Sequence, residues 1–130
     1  MPPRLTGDQL TLEQAGRLLS RIERGDDSAC WLWRGSVAPN GYGQVVWRFG
    51  GIRVRFTPHR LMLEWWTGQP VPANLDVDHT CCNRACCNPA HLERVTHAEN
   101  VRRAARRRSW REIRDYQLRL AHLDAIQKEL

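Results

Sequence analysis

A chain of 130 residues, 42% hydrophobic and 26% charged, has room for one modest core, which excludes a two-domain dinucleotide-binding enzyme and a full α/β barrel. No apolar run approaches the ~20 residues that span a bilayer, and Met1-Pro2-Pro3-Arg4 has no apolar stretch behind it, so neither a membrane span nor a signal peptide is expected and the expected location is the cytoplasm. Basic residues outnumber acidic ones by 20 to 14, a net charge of +6, with Lys128 the one lysine beside nineteen arginines.

Residues 1–10 read as a loose, flexible N-terminus. Thr11 and Gln14 have the spacing of a capping box, and Leu12, Ala15, Leu18, Leu19 and Ile22 form the stripe of an amphipathic helix that Gly25 stops. Cys30-Trp31-Leu32-Trp33 reads as a short strand. Pro39-Asn40-Gly41 is a turn, Tyr42 to Phe49 a strand, Gly50-Gly51 a hairpin turn and Ile52 to Phe56 the return strand. Arg53 and Arg55 alternate with apolar residues, so one face of this ribbon is basic. Thr57 and Pro58 open a helix that runs to Trp66 and ends near Gly68. Leu75 to His79 and Leu92 to Val95 are strands on either side of an irregular cysteine-rich loop. Thr96 with Glu99 opens a helix of about twelve residues, and Ser109 with Glu112 opens a last one. Domain organisation follows as one globular unit over residues 11–108 and a C-terminal helix over 109–130. The tryptophans of the regular elements, Trp31, Trp33, Trp65 and Trp66, are expected in the core, with Trp110 stapling the last helix.

The positive charge is local. Residues 101–119 hold eight arginines against Glu112 and Asp115, while the remainder of the chain balances. Guanidinium groups make bidentate contacts to phosphate, so this block suits nucleic acid as well as it suits a solvated helix face. Farther on, Ile113, Leu120, Leu123 and Ile126 leave an apolar stripe that either packs back on the domain or pairs with a second chain as a homodimer.

Four of the five cysteines, Cys81, Cys82, Cys86 and Cys87, fall within seven residues, and Cys30 lies upstream. Clustered thiols beside histidines in a cytosolic chain read as a metal site before a disulfide framework. Cys30, Cys81, Cys86 and His91 make a four-ligand set for tetrahedral zinc; by spacing alone Cys82 and Cys87 serve as well.

The stretch runs Asp78-His79-Thr80-Cys81-Cys82-Asn83-Arg84-Ala85-Cys86-Cys87-Asn88-Pro89-Ala90-His91-Leu92, then Thr96-His97-Ala98-Glu99-Asn100. It resembles the ββα-metal, or HNH-type, endonucleases, above all the zinc-stapled ones similar to His-Cys box homing endonucleases and small phage members. Cys30-Trp31, Gly41-Tyr42-Gly43 and His59-Arg60 add to the likeness, which covers roughly residues 15–108. The implied fold is a small α+β domain: a ββα-metal core, an antiparallel hairpin, a structural zinc and a C-terminal helical extension.

The resemblance implies a role for each group. His79 corresponds to the general base that activates water, a task that suits an imidazole near neutral pH. Asp78 and Asn100 correspond to the ligands of a catalytic divalent ion, Mg²⁺ or similar. Cys81, Cys86 and His91, with Cys30, correspond to a structural Zn²⁺ site. In members without zinc the position of His91 holds an asparagine that orients the base; the presence of Cys81 and Cys86 favours the ligand role here. Cys82 and Cys87 are left as free thiols. Arg103 and Arg107 share a helix face with Asn100, and with Arg53, Arg55 and Arg60 they are the expected contacts to double-stranded DNA. The implied activity is metal-dependent nicking or double-strand cleavage. The alternative is a zinc-stapled DNA-binding module without catalysis, which has no need of Asp78, His79 and Asn100 together.

Overall fold

The computed structural model describes residues 5–129. The chain divides into two compact units, one ending at Val95 and the other beginning at Thr96. The first contains helices α1 (Leu12–Ser20) and α2 (Pro58–Thr67) and three two-stranded ribbons, the first two of them antiparallel. These pair β1 (Ile22–Glu23) with β2 (Leu32–Trp33), β3 (Val45–Phe49) with β4 (Ile52–Phe56), and β5 (Leu75–His79) with β6 (Leu92–Thr96). The second is one helix, α3 (His97–Glu129). Small mixed α and β architecture, antiparallel hairpins and a C-terminal helix are as expected. Among the described residues no helix is long and apolar enough to cross a membrane.

The Thr11–Gln14 capping box forms in both directions, but α1 stops at Ser20 and Ile22 enters β1 opposite Trp33. The stripe therefore continues into a strand instead of reaching Gly25; burial of Ile22 beside Trp33 outweighs one more helical turn. Pro58 starts α2 without a side-chain cap from Thr57, and Gly68 ends it in the left-handed region at φ 67°. Within the stretch expected to be a loose N-terminus, part of which lies outside the described residues, Gly7–Gln9 forms a 3-10 turn against α2. There a Cβ on Gly7 would lie 2.2 Å from the Leu61 carbonyl oxygen, so glycine alone permits the approach. The buried carboxylate of Glu64 accepts the Gly7 N–H at 3.2 Å and the Val71 N–H at 2.8 Å, tying this turn and the loop after α2 to one side chain.

The core gathers Leu18, Ile22, Trp31, Trp33, Leu61, Met62 and Cys87, and a smaller cluster sets Leu63 of α2 against Val71 and Leu92. Trp47 and Trp65 pack against the first cluster. Trp66 and Trp110 do not follow the expectation of burial: they are 53% and 71% exposed.

The helix expected to end near residue 108 continues without a break through Ser109. Ser109 and Glu112 have the spacing of a capping box, but with alanine and arginine before them and no Gly or Pro the helix propagates past. The two compact units meet at Val95–Thr96.

Candidate active site and metal centre

The metal ligands are set side by side by backbone pairing. The Trp33 N–H donates to the Ala85 carbonyl at 2.8 Å and the Cys87 N–H to the Trp31 carbonyl at 2.7 Å, with Leu32 opposite Cys86. The cysteine loop thus lies along β2 and brings Cys86 beside Cys30. The Thr80 N–H donates to the His91 carbonyl at 2.8 Å, drawing His91 toward Cys81. Asn88, 2% exposed, finishes the assembly. Its Nδ2 donates to the carbonyls of Asp27 at 3.0 Å and Ala29 at 2.7 Å, and its Oδ1 accepts the Ala90 N–H at 3.0 Å.

The result is a cluster of Cys30, Cys81, Cys86 and His91 whose ligand atoms all lie within 4.8 Å of one another. His91 Nδ1 is 3.7 Å from Cys30 Sγ and 3.5 Å from Cys86 Sγ. Tetrahedral zinc with usual Zn–S and Zn–N lengths has an S···N edge of about 3.6 Å, so the donor set fits that ion. This separates the two cysteine pairs that spacing left equivalent. Cys82 is exposed in the left-handed region at φ 60°, and Cys87 belongs to the core. Burial pushes the Cys87 thiol up to about 12 and, in the absence of metal, raises Cys86 and Cys81 as well. Cys87 is therefore a small apolar side chain. The paired thiols Cys81 and Cys86 release protons when a metal binds, which makes loading weaker as pH falls.

Asp78 and His79 close β5, and both are buried, at 4% exposure. His79 Nε2 lies 3.0 Å from the carbonyl oxygen of Cys86. A carbonyl accepts and never donates, so Nε2 carries the proton and the lone pair of the neutral ring is on Nδ1. The ring lies against His59 of α2 at a centroid distance of 4.4 Å and against Tyr42 at 5.7 Å; Tyr42 also stacks on His59 at 5.5 Å. Burial lowers the pKa of His59 to about 3, helped by the charges of His79 and Arg60, and the ring is neutral at physiological pH.

In the second unit the Thr96 hydroxyl accepts the Glu99 N–H at 3.1 Å and caps the start of α3. The Glu99 carboxylate gathers Arg102 at 2.9 Å and Arg103 and Arg106 at 3.1 Å, which holds it below the usual carboxylate range. Asn100, Arg103 and Arg107 are half-buried, whereas Val101, Arg102, Arg106 and Arg108 are exposed. The three half-buried residues follow helical spacing, as expected of one face.

The remaining expected contacts divide. Arg53 and Arg55 are exposed on β4, and the register sets Arg53 opposite Arg48 and Arg55 opposite Val46, all on one face of the ribbon. Two arginines directly opposed repel, a cost that an anion between them removes. Arg48 escaped the sequence reading, although its alternation about Gly50-Gly51 carried the signal. Arg60 Nη2 donates to the carbonyls of Val71 at 2.9 Å and Pro72 at 3.3 Å. Asn88 and His59 also went without assigned roles. The Asn-Pro step beside a ligand was the only hint of the first; nothing in sequence spacing pointed from His59 to His79.

Residues 58–102 match the family model described as HNH endonuclease. This segment is similar to the HNH endonucleases. The HNH segment holds α2, the β5–β6 ribbon, three of the four cluster ligands and Asn100. Protein 2.8 of Escherichia phage T7 is 37% identical over 89 residues, 68% of this chain and 58% of its own length. The uncharacterized gene 5.3 protein of Enterobacteria phage T3 is 35% identical over 51 residues, 39% of this chain and 50% of its own length. The chain thus spans about half the length of these phage relatives. No solved structure matches it.

Proposed function

We propose that this HNH protein is a metal-dependent DNA endonuclease that nicks or cuts both strands of the duplex, leaving 5′-phosphate and 3′-hydroxyl ends. The observation that carries the reading is the hydrogen bond from His79 Nε2 to the Cys86 carbonyl, because it leaves the basic lone pair on Nδ1. His79 accepts the proton of the attacking water at that atom. His59 and Tyr42 pack its ring in place. Asp78 and Asn100 supply the carboxylate and carboxamide oxygens that suit a hard divalent ion such as Mg²⁺. An ion held by them would supply positive charge to offset the negative charge that develops at the scissile phosphate.

Cys30, Cys81, Cys86 and His91 take zinc and fix the loop after His79. Arg103 and Arg107 on α3, and Arg48, Arg53 and Arg55 on the ribbon, contact DNA phosphates. Arg60, whose Nη2 holds the loop at Val71 and Pro72, has its remaining N–H donors for a phosphate. The phage relatives support action in the cytoplasm of an infected bacterial cell.

Supercoiled plasmid with Mg²⁺ tests the proposal, with His79→Ala purified in parallel and zinc content measured for both. Relaxation or linearisation by the parent, lost in the zinc-loaded variant, is the expected result. Zinc-loaded parent that binds plasmid and leaves it intact across several divalent ions would assign a DNA-binding module without catalysis. Equal cutting by parent and variant would remove His79 from the mechanism.

A further inference from the structure

The C-terminal half of α3 exposes more apolar surface than a lone helix keeps. Trp110, Ile113, Tyr116, Leu120, Leu123 and Ile126 are between 43% and 71% exposed, and α3 has no buried residue. A helix gains most of its stability by covering an apolar face, and contiguous exposed patches of this kind mark association surfaces.

The spacing identifies the cover. Ile113, Tyr116, Leu120 and Leu123 follow steps of three, four and three, which makes them positions a, d, a and d of two consecutive heptads. Gln127 takes the next a position, where a polar residue restricts register. Trp110 and Ile126 flank the seam at e and g positions. A 3.5-residue repeat fits a helix to another helix of its own kind.

Charge then fixes direction. Arg119 is a g residue and Asp124 the e residue of the following heptad. In a parallel, in-register pair each Arg119 faces Asp124 of the second copy, twice by symmetry. The antiparallel pair that stacks Ile113 on Leu123 and Tyr116 on Leu120 brings the two copies of Arg119 together instead. We infer that residues 113–127 of α3 pair with the same segment of a second copy of this chain as a short parallel two-stranded coiled coil.

Two heptads make a weak seam, so dimerisation depends on concentration. Six of the eight clustered arginines, Arg102 to Arg111, lie immediately N-terminal to the seam on the same continuous helix. A parallel pair therefore brings two such blocks to one end, as in a basic region followed by a zipper. Their mutual repulsion weakens the free dimer, and a polyanion bound between them strengthens it by mass action.

Sedimentation equilibrium of the full zinc-loaded chain, without DNA, tests this independently of any nuclease activity. Over roughly micromolar to millimolar concentration the mass should rise from 15.1 kDa toward twice that value. Leu120→Glu with Leu123→Glu should hold the chain at monomer mass, with zinc content and near-UV circular dichroism unchanged because both residues are exposed. Arg119→Asp should weaken the dimer about tenfold, two ion pairs being replaced by two repulsions. Adding Asp124→Arg should restore it. A monomer at every concentration, or a dimer indifferent to the leucine substitutions, would overturn the inference. A dimer that the charge swap fails to rescue would overturn the parallel arrangement.

Discussion

Replacing Asn88 with aspartate tests how the metal loop is held. One buried carboxamide joins the segment before Cys30 to the segment that carries the other three ligands, through bonds to the Asp27 and Ala29 carbonyls. Aspartate matches its size, leaves no cavity and still accepts the Ala90 N–H. It removes both donors. A buried carbonyl left unpaired costs ~1–3 kcal/mol; Asp27 is exposed and its carbonyl can turn to water, so ~1 kcal/mol applies there and the full range at Ala29. The sum, about 2–4 kcal/mol, is a large share of the ~5–15 kcal/mol that holds a domain folded. Zinc supplies folding free energy directly, so displacement of Cys30 appears as lost affinity, about 30-fold for 2 kcal/mol. Chelator competition at neutral pH should show that loss for Asn88→Asp, and the urea midpoint of the zinc-loaded protein should fall. A variant with the parental midpoint and an affinity within about threefold of the parent would refute the role given to Asn88.

Arg103→Ala with Arg107→Ala should weaken plasmid binding and flatten the plot of log affinity against log salt by nearly two units, about 0.9 for each lost phosphate contact; an unchanged slope would remove both side chains from the DNA contact. His59 predicts a pH dependence of stability. Its folded pKa of about 3 lies below the unfolded value of 6.5, so the unfolded chain binds the extra proton between those limits. The stabilisation is complete above pH 6.5 and is lost as pH falls through that window, by about 2 kcal/mol between pH 7 and pH 5. His59→Phe keeps the ring contacts with His79 and Tyr42 and should lose about that much of the parental pH slope in urea unfolding; parallel slopes would show that His59 does not titrate as its burial requires.

Local chemistry made the elements legible. Residues 75–79 and 52–56 form strands where alternation and the Gly50-Gly51 turn predicted them, and α2 begins at Pro58 and ends at Gly68. The zinc cluster was legible as a set of ligand types, yet choosing Cys81 and Cys86 over their neighbours by physics required the pairing of the loop with β2, a contact between residues more than fifty positions apart. Other long-range contacts were not legible in the sequence. Arg60 Nη2 meets the Val71 and Pro72 carbonyls, and Glu64 ties down the N-terminal turn at Gly7. Ser109 failed for the opposite reason: its capping pattern was local and complete, but a helix already propagating through alanine and arginine had no cause to stop.

On the proposed mechanism, Cys86 makes the metal loop and the base one device. Its Sγ belongs to the cluster proposed to take zinc, and its carbonyl accepts the Nε2 proton of His79. Structural zinc contributes on the order of 10–16 kcal/mol of folding free energy, as much as the whole stability of a small domain. Metal removal therefore releases the carbonyl that selects the tautomer, and the base loses its defined lone pair along with its loop. Two-bond ¹H–¹⁵N spectra should show His79 protonated at Nε2 in the zinc-loaded protein and in tautomeric exchange after chelation. A zinc-loaded protein with the proton on Nδ1 would place the lone pair at the wrong atom, and catalysis through His79 Nδ1 would have to be abandoned.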